Sequence, residues 1–282
     1  MKNLTEKIPD SLLKKYRRLL RILKSYGSVL VALSGGVDSS LLLKAASEAL
    51  GKNLLAVTVD SPIHHREEIK AARQLTGALR VRWMRVKSDD YLREEFRRND
   101  PLRCYHCKLA VFGKLKEVAA EKGLSMVVDG SNLDDDRDYR PGHRALVELD
   151  VRSPLKEAGL RKSEIRLLAR YLGLSGWNRP SNACLATRIP FGQPIEPEIL
   201  GKIAEGENFL KRLGFSQVRL RHHGEVVRLE IWPEEMPAIL APNNRQKVVK
   251  RLKKLGWKYI TFDLEGYRTG SLNPEGAGGL ED

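Results

Sequence analysis

The residues best suited to chemistry are a serine and glycine loop and three cysteines. Ser34-Gly35-Gly36-Val37-Asp38-Ser39-Ser40 follows the apolar run Ser28 to Leu33 and opens the helical stretch Asp38 to Leu50. In that setting successive backbone N–H groups form an anion-binding nest at the positive end of a helix. Gly35 and Gly36 let the backbone approach phosphate oxygens, and Ser34, Ser39 and Ser40 add hydroxyl donors. Asp38 would repel phosphate and so suits Mg²⁺ held between phosphates. The loop lacks the lysine of a Walker A sequence, which disfavours the kinase and GTPase readings. Cys104 and Cys107 form a C-x-x-C pair within Pro101-Leu102-Arg103-Cys104-Tyr105-His106-Cys107-Lys108, and Cys184 lies in the loop Arg179 to Pro190. Two thiolates at this spacing can bind one metal or cluster. A structural zinc would want a fourth ligand, for which His106 is badly placed and His64, His65 or His143 is unforced. Three thiolates on a [4Fe-4S] cluster would leave one iron open to hydrosulfide. Arg103, Lys108 and Arg188 are basic neighbours that favour thiolate. Three inert buried cysteines are the remaining alternative.

Alternating elements must hold these groups. Leu12, Leu13, Tyr16, Leu19, Leu20 and Leu23 recur at helical spacing and predict an amphipathic first helix. Leu54 to Val59 then reads as a strand, Arg66 to Leu75 as a helix and Leu79 to Val86 as a strand. Leu109 to Lys122 reads as a helix, Ser125 to Asp129 as a strand and Ser163 to Leu172 as a helix. This order predicts an α/β fold, a doubly wound parallel sheet whose ligands sit beyond the carboxyl ends of its strands. Ser34 to Ser40, Asp60 and Gly130 all fall there.

The Pro, Gly, Ser and Asn-rich stretch Gly176 to Pro197 marks a boundary, after which the order changes. Glu198 to Leu213 and Arg245 to Leu255 read as helices. Gln217 to Arg221 and Glu225 to Ile231 read as strands joined across His223-Gly224, and Lys258 to Phe262 as a last strand. The expected organisation is a nucleotide-handling domain over residues 1–189, a smaller α+β domain over 190–269 and a disordered tail over 270–282.

The length of 282 residues accommodates two modest domains. With 41% hydrophobic and 30% charged residues the chain can build cores and stay dissolved, which excludes a disordered protein. No uncharged apolar run approaches the roughly 18 to 20 residues of a membrane helix, and charged Met1 to Lys7 precedes no apolar signal core, so the cytoplasm is expected. Three cysteines argue against a secreted disulfide framework. The formal charge of +14 favours polyanionic partners, whether nucleotides, anionic cofactors or RNA, and also fits a solvated basic surface.

The heptapeptide Ser34 to Ser40 resembles the PP-loop of the N-type ATP pyrophosphatases, which cleave ATP between the α and β phosphates and transfer AMP to a substrate oxygen. Within that superfamily the resemblance puts the adenosine beside Asp60, and the backbone of Asp129-Gly130-Ser131-Asn132 within reach of the nucleotide. With Arg103 to Lys108, Asn182-Ala183-Cys184-Leu185-Ala186-Thr187-Arg188 and Val218-Arg219-Leu220-Arg221-His222-His223-Gly224, the chain looks like the LarE family of pyridinium-dicarboxylate mononucleotide sulfur transferases over nearly its whole length. The resemblance implies that ATP adenylates a carboxylate of a pyridinium mononucleotide. Sulfur then displaces AMP to give a thiocarboxylate for the nickel-pincer nucleotide cofactor. It implies a homo-oligomer; the hydropathy leaves no membrane partner expected, and this reading expects no nucleic-acid partner.

Some members of that family sacrifice the sulfur of one cysteine, matching Cys184. The added Cys104 and Cys107 resemble the three-cysteine branch, in which Cys104, Cys107 and Cys184 ligate a [4Fe-4S] cluster. Alternation puts Arg219 and Arg221 on one strand face, where two guanidiniums can grip a phosphate, matching the family's substrate arginines. A solvated strand face is the alternative. Glu207 resembles a family acidic residue near substrate or Mg²⁺. The rival functions are a PP-loop tRNA thiolation enzyme with a cluster, which the basic charge would suit, and a non-catalytic nucleotide-binding protein stabilised by zinc.

Overall fold

The computed structural model describes residues 8–137, 141–179, 183–268 and 272. The chain divides into two compact units. The first comprises Met1–Ser61, Arg66–Asp90 and Cys104–Asn182, and the second Pro62–His65, Tyr91–Arg103 and Ala183–Asp282.

In the first unit, α1 (Asp10–Ser25) leads into β1 (Val29–Ala32), α2 (Val37–Leu50), β2 (Leu54–Asp60), α3 (Arg66–Leu79) and β3 (Trp83–Lys87). Four parallel strands, the last being β4 (Met126–Val128), pair in the order β3-β2-β1-β4. Such a sheet is covered on both faces, so its central strands carry unbroken apolar runs. Val29 and Val31 of β1 pack with Leu19 and Leu23 of α1, Leu41 and Leu42 of α2, and Leu168. Leu30 points to the opposite core, with Phe112 and Leu115. The doubly wound α/β expectation therefore holds. Thr58 Oγ1 donates to Leu33 O at 2.9 Å and accepts from Trp83 Nε1 at 3.0 Å, tying together the strand ends beside the loop.

The remaining helices are the short α4 (Glu94–Arg97) of the second unit, then α5 (Arg103–Glu121), α6 (Gly142–Glu148), α7 (Pro154–Glu157) and α8 (Lys162–Tyr171). Two sequence expectations need correction. The third strand begins at Trp83 rather than Leu79, because α3 runs through Leu79 and ends where Arg80 takes the left-handed φ of 51°. The helix expected from Leu109 starts at Arg103, with the side chain of Asp100 accepting Leu102 N at 2.8 Å ahead of it. The C-x-x-C pair is thus helical, one turn apart on the same face.

The second unit contains α9 (Pro197–Arg212), β5 (Val218–His223), β6 (Val226–Ile231), α10 (Met236–Leu240), α11 (Pro242–Lys254) and β7 (Tyr259–Phe262). β5 and β6 form the expected hairpin, and β7 pairs parallel to β6. Leu200, Ile203 and Leu210 of α9, Val248 and Leu252 of α11, and Val218, Leu220 and Leu229 of the sheet are buried. A small α+β layer results. The tail expected from residue 270 lies, apart from Leu272, outside the described residues. No helix among the described residues is long and apolar enough to cross a membrane.

Candidate functional site

Gly35 has φ 84°, and a Cβ there would collide with the Glu68 carbonyl oxygen. Only glycine fits this turn. Gly36 is the N-cap of α2 and makes no side-chain cap, which leaves the first-turn N–H groups open to an anion. The serines brace the turn: Ser40 Oγ donates to Gly36 O at 2.8 Å, Ser39 Oγ lies 3.1 Å from the same oxygen, and Ser34 Oγ is 3.0 Å from Ser39 Oγ. A Cβ on Gly130 would lie 3.0 Å from Ser39 N, so the β4 end comes against the start of α2. Asp129 is buried and accepts from Ser153 Oγ at 2.6 Å and from Ser131 N at 3.2 Å, which fixes that turn. Asp60 ends β2 with Arg85 Nε 3.5 Å away. The first unit thus brings Ser34 to Ser40 and Gly130 together.

Asp38 occupies the first turn of α2 with its two oxygens in different states. Oδ2 is paired with Lys162 Nζ, whereas Oδ1 is buried without a hydrogen-bond partner. A carboxylate oxygen left this way fits a metal ligand, and magnesium takes such oxygens. Lys162 is the first residue of α8, and its N–H is received by Asp134 Oδ2 at 2.8 Å while Asp134 Oδ1 receives Arg161 Nη1 at 2.9 Å. Asp134 therefore fixes the helix end that delivers Lys162 to Asp38. Sequence reasoning missed both residues, which are far from the loop along the chain.

Cys104 and Cys107 lie in the first two turns of α5, in the first unit, with Cys104 exposed and Cys107 half-buried. Cys184, half-buried, lies in the second unit at the N-cap of the turn Leu185–Arg188. None of the three is in a disulfide. Among the described residues, no group of three His, Cys, Asp or Glu side chains is gathered as a metal site. Arg188 shapes the Cys184 turn. It is fully buried, and its Nη1 donates to Ala183 O at 2.7 Å, Cys184 O at 3.0 Å and Thr187 Oγ1 at 3.0 Å. Its other edge pairs bidentately with Glu207, Nε to Oε1 at 2.8 Å and Nη2 to Oε2 at 3.0 Å.

Glu207 is 0% exposed, and Oε1 also accepts Leu220 N at 3.1 Å. Burial alone would raise its carboxyl pKa, but the charge and hydrogen bonds of Arg188, with Arg219 behind them, outweigh that and hold it at about 2. His65 Nε2 is 3.7 Å from Glu207 Oε2, and burial, against the pull of Glu207, takes the ring down to about 3. At neutral pH that contact is therefore not an ion pair.

Arg219 and Arg221 are 2% and 5% exposed, so the solvated strand face is excluded. Arg219 lies over the Tyr267 ring at 5.2 Å, and burial followed by the charge of Arg188 lowers it to about 10. Arg221 donates to Thr187 O at 2.8 Å and pairs with Glu230 at 2.8 Å. The second unit thus gathers Arg188, Arg219 and Arg221 around two carboxylates, beside the turn that carries Cys184.

A family profile for asparagine synthase matches residues 19–105. A pyridinium-3,5-bisthiocarboxylic acid mononucleotide synthase of Lactiplantibacillus plantarum is 34% identical over 264 residues, covering 93% of this chain and 95% of the relative. An uncharacterised Synechocystis protein is 36% identical over 259 residues, 92% of this chain and 97% of its own length. A glutamine-hydrolysing GMP synthase subunit from Methanococcus maripaludis is 34% identical over 193 residues, covering 62% of this chain and 58% of the relative.

Proposed function

The chain belongs to the LarE family of pyridinium-3,5-bisthiocarboxylic acid mononucleotide synthases, within the PP-loop superfamily, and from that premise we infer that it uses ATP to turn a carboxylate of a pyridinium dicarboxylate mononucleotide into a thiocarboxylate. The observation that carries this reading is the 34% identity to the Lactiplantibacillus synthase along nearly both chains. On this reading the protein is a sulfurtransferase of nickel-pincer nucleotide cofactor biosynthesis.

The Ser34 to Ser40 loop binds the ATP phosphates. Its N–H groups and the Lys162 ammonium stabilise charge on the departing pyrophosphate, and Asp38, whose Oδ1 has no hydrogen-bond partner, would hold Mg²⁺. Asp60 and Gly130 border the adenosine. The substrate carboxylate attacks the α-phosphorus, the bond to the β-phosphate oxygen breaks, and an acyl adenylate forms. Arg219 and Arg221 supply positive charge towards the substrate phosphate, Arg221 while keeping its pair with Glu230, and Glu207 acts by keeping Arg188 in place. Hydrosulfide then attacks the acyl carbon, AMP leaves with the electron pair of the broken C–O bond, and a proton is released.

Cys104, Cys107 and Cys184 would hold a [4Fe-4S] cluster, a set of soft thiolate donors suited to iron. When bound, that cluster supplies sulfide to the reaction, and Cys184 need not be consumed. The protein assembles as a homo-oligomer, which light scattering can check.

The test is anaerobic turnover with ATP, the dicarboxylate mononucleotide and sulfide, following pyrophosphate, AMP and thiocarboxylate by mass spectrometry. Several turnovers with all three cysteines intact are expected. One turnover with Cys184 left as dehydroalanine would defeat the cluster route. Pyrophosphate release that depends on tRNA would replace the substrate assignment altogether, and nucleotide binding without pyrophosphate release would remove the enzyme reading.

A further inference from the structure

Asn99 and Arg103 form a buried polar knot in the second unit that nothing in the proposed chemistry yet uses. Asn99 is 0% exposed and has a left-handed φ of 54°, a conformation that asparagine tolerates better than most residues. Its Nδ2 group donates to Pro190 O and Gln193 O at 2.8 Å each and lies 3.3 Å from Ile189 O. Its own carbonyl accepts Gly192 N at 3.0 Å, and the Arg97 carbonyl accepts Ile195 N at 2.9 Å. One side chain and two backbone bonds thus pin the segment that follows the Cys184 turn.

Arg103 continues the knot to the turn itself. Its Nη1 donates to Asn99 Oδ1 and to Ala186 O, the latter at 3.2 Å, and its guanidinium lies over the Phe191 ring at 5.0 Å. Ala186 belongs to Leu185–Arg188, the turn closed by Thr187 N donating to Cys184 O at 3.0 Å. Arg103 is 4% exposed, and these partners are neutral. Burying a guanidinium on neutral partners is unfavourable, so plain packing is a poor account of it. Leu185, Ala186 and Ile189 are themselves buried, and what Asn99 and Arg103 add is direction. Arg103 also directly precedes Cys104 in the sequence.

We propose that Asn99 and Arg103 are positioning residues for sulfur transfer, fixing the backbone on which Cys184 is carried so that adenylation and sulfuration stay coupled. The inference rests on the sulfurtransferase reading above. It assigns the pair no part in ATP cleavage, whose groups lie in the first unit. Loss of the pair should leave adenylation running and waste the adenylate. A misplacement of about 1 Å costs on the order of 100-fold in a step that depends on alignment.

The experiment uses the full chain prepared anaerobically, with Arg103→Lys as the main variant. Lysine keeps the charge but cannot serve both acceptors and the ring face at once. Phe191→Leu is the milder second variant, removing only the ring beneath the guanidinium. Two quantities are read: thiocarboxylate formed per pyrophosphate released, and, in folded protein freed of iron by anaerobic chelation, the rate at which iodoacetamide alkylates Cys184, peptide by peptide. For Arg103→Lys, pyrophosphate release near the wild-type rate, a fall in the product ratio of about tenfold or more and a several-fold faster Cys184 alkylation are expected. Phe191→Leu should shift both quantities in the same direction by less. An unchanged ratio in both variants, or a loss of pyrophosphate release in step with product, overturns the proposal. Failure of the underlying function would show instead in the wild type, as no thiocarboxylate at all, and the alkylation rates would still report on the knot.

Discussion

Replacing Glu207 with glutamine preserves its shape and removes its charge, which isolates what the carboxylate does for Arg188. Both side chains are 0% exposed, and Glu207 receives two guanidinium hydrogen bonds and the Leu220 amide. After the substitution the amide can accept at one atom only, and its NH₂ group faces a cation that has lost its counter-charge. Breaking a buried pair from one side costs about 3–5 kcal/mol. A domain has roughly 5–15 kcal/mol in all, so a large share of the second unit's stability is at stake. Urea unfolding followed by tryptophan fluorescence measures this, with Trp232 and Trp257 reporting on the second unit and Trp83 and Trp177 on the first.

The double variant Arg188→Met, Glu207→Leu supplies the control. Replacing both members of a buried pair with apolar groups is often neutral, so it should recover most of the loss even as sulfur transfer fails. A single substitution costing less than about 1 kcal/mol, or a double variant as unstable as the sum of the singles, would refute the reading of Glu207 as the anchor of Arg188. Acid titration gives the same test a second arm. The Glu207 pKa is held below its unfolded value, so its contribution is complete above roughly pH 4.5 and is lost as pH falls towards about 2. Glu207→Gln should flatten that part of the stability profile.

Three further outcomes follow from the same geometry. His65 is lowered to about 3 in the folded protein, so the unfolded chain binds the extra proton between about pH 6.5 and 3 and stability falls as pH drops through that window; His65→Asn should lessen that fall by up to about 1.4 kcal/mol per pH unit. Lys162→Met should cut pyrophosphate release about 100-fold with little change in unfolding midpoint, since its pair with Asp38 is partly exposed; equal losses of stability and rate would make the lysine a structural residue. Gly35→Ala must resolve a clash with the Glu68 carbonyl and a positive φ, and a loss of ATP binding by calorimetry is expected, whereas unchanged affinity would mean that the loop is not the phosphate site.

The sequence carried the turn Ser34 to Ser40 clearly because three signals coincide there: an apolar strand without alternation, paired glycines and a helix beginning at once. Each signal is local. Lys162 was not legible, because a lysine at a helix start is ordinary until folding brings it to Asp38. The start of α5 was misplaced because Arg103 to Lys108 shows no apolar period, although Asp100 followed by Pro101 is a helix-start signal that could have found it. Alternation did suggest that Arg219 and Arg221 share a face, but their burial depends on partners from elsewhere in the unit, Tyr267, Thr187 and Glu230. Asn99 gave no signal at all. Its left-handed backbone and its three carbonyl partners exist only once residues 189–193 have returned to it.

The two principal ion pairs differ in a way that matches what the proposed function asks of each. Asp38 and Lys162 remain partly exposed, at 20% and 32%, and one carboxylate oxygen of Asp38 is left without a partner. Such a pair can exchange partners when phosphate and a cation arrive, because solvent screens the intermediate charges and little desolvation has to be undone. Arg188 and Glu207 are sealed, and nearly every donor and acceptor is already committed to backbone or to each other. A sealed pair cannot exchange without leaving a charge stranded in the interior. It is therefore suited to holding the Cys184 turn in one geometry through a catalytic cycle, while the open pair is suited to changing state once in every cycle.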